Sequence, residues 1–143
     1  MGENGFQKVG ESDERMYGPR AIALCGFPAA ERKELSELLS RGRLKDAPVI
    51  GVTDAQAERT LAEVLAGPHA GGVEEESSLA RAIVVAGLTE GELQRFMAAY
   101  RSLGWAHTLW AALTPTSETW TVRTLLAELS AEAEAIRRQS TLR

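Results

Sequence analysis

The segment Thr114-Pro115-Thr116-Ser117 places hydroxyl side chains beside a proline at the start of a helical pattern, with Thr119 following two residues later. In a parallel α/β sheet, ligands settle beyond the carboxyl ends of strands, where helix N-termini offer unbonded amide donors. A cluster of hydroxyls there can hold a small polar ligand. The same residue types also cap helices, so the competing reading is a cap and proline turn with Trp120 packed on the sheet. Thr53-Asp54 holds the corresponding place earlier in the chain. The candidate ligand-binding set is therefore Thr53, Asp54, Thr114, Thr116, Ser117 and Trp120. Arg123, one turn into the last helix, is the cation expected within reach of a phosphate. Arg20 and Arg81 precede their strands and are expected at the far edge of the sheet.

Other reactive residue types give little. Asp54 and Glu118 could serve as bases, but both stand at helix starts, where the macrodipole favours the anion and opposes a raised pKa. Gly26 and Gly87 each follow a strand, yet neither lies in a G-x-G-x-x-G or G-x-x-x-x-G-K-[ST] pattern. Cys25 falls inside an apolar run and reads as a small filler. His69 and His107 lack ligand-spaced partners, so no metal site is expected. The sequence shows no catalytic constellation, and neither enzymatic activity nor a cofactor is expected.

The elements that carry these residues repeat. Ala21-Ile22-Ala23-Leu24-Cys25 and Ala82-Ile83-Val84-Val85-Ala86 are short apolar runs closed by glycine, as suits strands buried on both faces. A helix follows each. Thr89 and Glu92 fit a capping box at the second, and Pro28 tolerates the first-turn position of the first. Leu35, Leu38 and Leu39 form one apolar stripe; Leu93, Phe96, Ala99 and Tyr100 form its counterpart. Gly42 and Gly104 are expected to end the two helices. Second strands follow at Val49–Val52 and Leu109–Leu113. Second helices then bury Leu61, Val64 and Leu65, and Val122, Leu125, Leu126, Leu129, Ala133 and Ile136.

Shifting the sequence by 61 positions superimposes the halves. Arg20-Ala21-Ile22 falls on Arg81-Ala82-Ile83, Gly26 on Gly87, Glu31 on Glu92, Thr53 on Thr114, Thr60 on Thr121 and Leu65-Ala66 on Leu126-Ala127. That makes nine identities in 47 ungapped positions, where ordinary residue frequencies give roughly three. The expected organisation is a polar tail over 1–18, a first βαβα repeat over 19–66, a Gly/Pro/Glu-rich linker over 67–79, a second repeat over 80–139 and a tail over 140–143. The fold class is α/β: one four-stranded sheet of parallel pairs with helices packed on it. A ferredoxin-like split arrangement, with the units interleaved, is the alternative.

The second repeat resembles a small bacterial family, domain-of-unknown-function family 3783. The resemblance rests on the run Ala82–Leu88, on Leu109–Thr121 with Thr114, Pro115, Thr116, Trp120 and Thr121 in place, and on Leu125–Leu129. Ser117 stands where the family pattern has Asn. The resemblance covers roughly residues 80–137 directly and residues 20–66 through the duplication, and it implies no known activity.

Composition narrows the functional classes. The 143 residues carry 16 Lys+Arg against 20 Asp+Glu, a net charge of −4 that argues against a nucleic-acid binder. One cysteine excludes an intrachain disulfide. No apolar run of about 18 residues is present, and no secretory signal is visible. A cytoplasmic interaction module is expected, with a protein partner or a homo-oligomer and with neither nucleic acid nor membrane. All three tryptophans (Trp105, Trp110, Trp120) fall in the second repeat; where exposed, they would form an interface anchor. The alternative is a small-molecule sensor or carrier binding near Thr114–Ser117.

Overall fold

The computed structural model describes residues 14–41, 44, 46–67, 77–105 and 107–141. The elements run β1 (Ala21–Cys25), α1 (Ala29–Arg41), β2 (Val49–Val52), α2 (Leu61–Leu65), β3 (Ala82–Ala86), α3 (Glu90–Ser102), β4 (Leu109–Ala112) and α4 (Val122–Thr141). Short 3-10 turns at Asp54–Gln56 and Ser117–Thr119 precede α2 and α4. His69 and Gly42 lie outside the described residues, as does most of the expected linker. Order begins earlier than the tail reading implies, because the Met16 amide donates to the Leu88 carbonyl at 2.7 Å.

The four strands form one sheet in the order β2-β1-β3-β4. Each half contributes a parallel pair, β1 with β2 and β3 with β4, as the crossover helices require. The halves meet through antiparallel pairing of β1 with β3. The sheet is therefore mixed and not wholly parallel, and the two units lie side by side without interleaving. All five residues of both β1 and β3 are buried, which explains why these two runs are continuously apolar where an amphipathic strand would alternate.

Alternate side chains feed two cores. Ile22, Leu24, Ile83 and Val85 pack with Leu35, Leu39, Phe96 and Tyr100 of α1 and α3 on one face. Ala21, Ala23, Cys25, Ala82, Val84 and Ala86 pack with the apolar residues of α2 and α4 on the other. The stripe expected along α4 is buried only through its first turns. Val122, Leu125 and Leu126 are in the core, but Ile136 is 64% exposed. The reason is length: 20 helical residues span about 30 Å, whereas a strand of five residues spans roughly 17 Å, so the helix outruns the sheet.

At the seam between the halves, equivalent residues either face each other or make reciprocal contacts. Ala23 pairs with Val84 at the centre of the β1–β3 ladder. Arg20 forms an ion pair with Glu92 at 2.7 Å, and Arg81 forms the reciprocal pair with Glu31 at 2.7 Å. Thr60 and Thr121 face each other in an antiparallel bridge. Around it the Leu61 amide donates to Trp120 O at 2.9 Å, and the Val122 amide donates to Arg59 O at 2.9 Å. Gly26 and Gly87 have φ of +73° and +68°, and the chain passes so close that a Cβ at Gly87 would stand 2.7 Å from Arg20 Cα. Many of the identities between the halves thus sit where the halves touch.

Candidate functional site

The antiparallel seam decides where the sequence-selected residues fall. Val52, at the carboxyl end of β2, pairs with Cys25; Ala112, at the carboxyl end of β4, pairs with Val85 near the opposite end of the sheet. Thr53-Asp54 and Thr114–Ser117 therefore leave opposite ends of the sheet and do not form a common edge. Arg20 and Arg81 are not remote from these ends either. Each lies where the other half's strand finishes, and each is engaged by a glutamate.

Local hydrogen bonding accounts for most of the hydroxyls. The Thr114 amide donates to Ser117 Oγ at 3.1 Å, the Ser117 amide donates to Thr114 Oγ1 at 3.0 Å, and the two hydroxyls bond each other at 3.1 Å. This closed box starts the 3-10 turn at Ser117. Thr116 is exposed, and its carbonyl accepts from the Thr119 hydroxyl. Thr53 is buried, and its amide donates to Gln56 Oε1. Asp54 accepts from the Ser77 hydroxyl and from the amide and hydroxyl of Ser78, the last at 2.5 Å. Those bonds hold its carboxyl below the usual carboxylate range. Trp120 packs half-buried against the core under α4. Arg123 is engaged by Glu58, and Tyr17 donates to Glu118 at 2.8 Å. Burial pushes the Cys25 thiol up to about 12, in keeping with a filler.

A second constellation stands out at the other side of the same half. Gly104 adopts φ +71° after α3 and turns the chain so that Trp105 returns over the helix it has just left. The Trp105 ring meets Tyr100 edge-on at 6.0 Å, and Tyr100 meets Trp110 of β4 edge-on at 5.7 Å. Phe96 of α3 meets Trp110 at 5.2 Å, again edge-on. These perpendicular ring pairs fix the orientation of both indoles. Tyr100 is buried, which raises its hydroxyl pKa, while Trp105 and Trp110 remain half-exposed.

The three rings, with Arg101, His107 and Thr108, line an open cavity of about 480 Å³. That volume falls within the range of small-ligand and side-chain pockets. Besides the buried Tyr100, its ionisable lining is Arg101 and His107, both exposed. The first half carries Leu39, Ser40, Leu44, Asp46, Ala47 and Val49 at the matching places, so it has no aromatic counterpart. The sequence signal was the concentration of tryptophans in one half. What it lacked was the position of Tyr100, which as one member of a helical stripe looks like any other core residue.

The cavity opens beside β4, an outer strand of the sheet. The Leu109 and Leu113 amides donate inward to Arg81 and Val85 carbonyls, so the intervening Trp110 and Ala112 turn their backbone groups outward. The other outer strand, β2, is buried along its whole length, whereas β4 is half-exposed to exposed. Among the described residues, no group of three or more His, Cys, Asp or Glu could hold a metal, and no helix is long and apolar enough to cross a membrane.

No curated protein and no solved structure matches the chain. A family model does match the half that carries the aromatic cavity and the exposed strand: residues 81–136 match the family described as domain of unknown function (DUF3783).

Proposed function

We propose that this chain is a non-enzymatic protein-interaction or self-association module of the bacterial cytoplasm, built as an internal repeat. The observation that carries the reading is the outer edge of β4, which presents outward backbone groups beside half-exposed tryptophans. An exposed edge of this kind is a template for a further strand, and aromatic side chains beside it supply the anchors that dominate interfaces. Two observations support it against a ligand site at Thr114–Ser117. The hydroxyls of Thr114 and Ser117 bond each other, and Asp54 is bonded to Ser77 and Ser78. The repeat is supported by the reciprocal contacts Arg20 with Glu92 and Arg81 with Glu31, and by the bridge of Thr60 with Thr121.

The test compares the full chain with Ala112→Glu, which puts a negative charge on the exposed end of β4 without touching either core. Sedimentation measures self-association, and affinity capture from native lysate measures partner binding. The wild type is expected to dimerise or retain a partner, and the variant to lose that association. A wild-type protein that sediments as a monomer and retains nothing overturns the reading.

A further inference from the structure

Resting on that reading, the geometry points to a specific occupant of the β4 edge: an extended, acidic segment of a partner protein that adds as a strand beside β4 and seats a side chain in the Tyr100–Trp105–Trp110 cavity. Three observations converge on it. Trp110 and Ala112 offer backbone groups that an added strand satisfies, with alternate side chains of that strand pointing toward α3. The aromatic walls accept an apolar or aromatic side chain, held in place by the edge-on ring contacts. At the rim the exposed Arg101 guanidinium favours a carboxylate at a flanking position, and the His107 ring beside it offers a further hydrogen-bonding group.

Arg101 is a local positive charge on a chain with a net charge of −4, so this rim favours an acidic strand over a basic one.

The experiment uses the full-length protein and four end-blocked heptapeptides that alternate Glu with Phe, Trp, Val or Leu. Matched peptides carry Lys in place of Glu, and a further set is N-methylated on the edge that would face β4. Binding is read from the amide resonances of Trp110 and Ala112, the indole resonances of Trp105 and Trp110, and hydrogen-exchange protection. At least one Glu peptide is expected to shift these signals saturably, with the Lys version at least tenfold weaker and the N-methylated version inactive. Arg101→Glu, an exposed helical position outside both cores, is expected to weaken the Glu peptide at least tenfold; His107→Ala provides a second, uncharged change at the rim. The inference is overturned if no Glu peptide binds at millimolar concentration, if Lys peptides bind equally well, or if the Trp110 amide is already protected in a dimer. An Ala112→Glu-sensitive dimer or captured partner alongside silent peptides removes this occupant and leaves the interaction reading standing. Loss of both removes the interaction reading itself.

Discussion

Neutralising Glu92 tests the seam between the halves, because Glu92 links the two at a single carboxylate. Its oxygens accept from Arg20 Nη1 at 2.7 Å and Nη2 at 2.8 Å, a bidentate pair. One oxygen also accepts from the Thr89 amide at 2.9 Å, which caps α3. The side chains of Arg20 and Glu92 are 11% and 15% exposed, so water screens the pair only in part. Arg20 holds the Glu92 carboxyl at about 2, against an ordinary value of 4.5. At about 1.4 kcal/mol per pKa unit, that difference corresponds to about 3 kcal/mol of folding free energy. Asp46 shares the same guanidinium from a solvent-exposed position. The expected cost of Glu92→Gln at pH 7 is therefore nearer 2 kcal/mol. Glutamine preserves the capping box, since its amide oxygen still accepts from Thr89, so the substitution isolates the charge.

The pH dependence carries its own sign. A carboxyl with a lower pKa when folded contributes fully above its unfolded pKa and loses that contribution as pH falls through its folded value. The stability gap between wild type and Glu92→Gln should therefore be full above pH 5 and shrink steadily toward pH 2. Urea denaturation followed by circular dichroism at a series of pH values measures that gap directly. Asp46 and Asp54 also have lowered pKa values, but both proteins retain them, and taking the difference largely cancels their effect. A gap below about 0.5 kcal/mol at pH 7, or one that does not narrow on acidification, refutes the assignment of this ion pair as a structural tie.

Four further outcomes follow. Glu31→Gln breaks the reciprocal pair, which makes one hydrogen bond at 2.7 Å and is 20% and 30% exposed; it should cost about 1 kcal/mol or less by the same denaturation assay, clearly below Glu92→Gln. Gly87→Ala should destabilise by more than about 2 kcal/mol, because a positive φ and a 2.7 Å approach to Arg20 Cα act together, while Gly104→Ala, with a positive φ but open space around its Cβ, should cost about 1 kcal/mol; thermal melts of the two compare them. Thr116→Val should change stability by less than about 0.5 kcal/mol, whereas Ser117→Ala should cost about 1 kcal/mol through loss of the Thr114 box. The Cys25 thiol, 1% exposed and with its pKa pushed up to about 12, should resist a disulfide reagent in native buffer and react only once the protein is unfolded in urea.

Much of the architecture is written locally. Two five-residue apolar runs, each closed by a glycine that must adopt positive φ, specify β1 and β3. Thr89 and Glu92 start α3, and Thr60 and Glu63 start α2, through capping boxes confined to four residues. These features depend on neighbours in the chain, so the sequence carries them unaided. The 61-residue offset likewise marks residues that prove to lie at the seam, Thr60 against Thr121, and the matched pairs Arg20/Arg81 and Glu31/Glu92 that cross to each other, although the sequence does not say that they meet. The cap role of Thr114 and Ser117 was legible as one of two readings, and local hydrogen bonds fill it.

Tertiary structure alone decided how the halves join. Continuous apolar strands such as β1 and β3 suit parallel and antiparallel neighbours equally, so no local pattern reveals that they run antiparallel. That one choice sends Thr53 and Thr114 to opposite ends of the sheet and brings Arg20 and Arg81 to the glutamates of the opposite half. It also leaves β4 on the outside. Tyr100 and Trp110, ten residues apart on different elements, become a cavity wall only when β4 lies beneath α3. Sequence determined which segments fold and how each begins; contacts between segments determined which side chains share a site, because burial and charge pairing act through space and not along the chain.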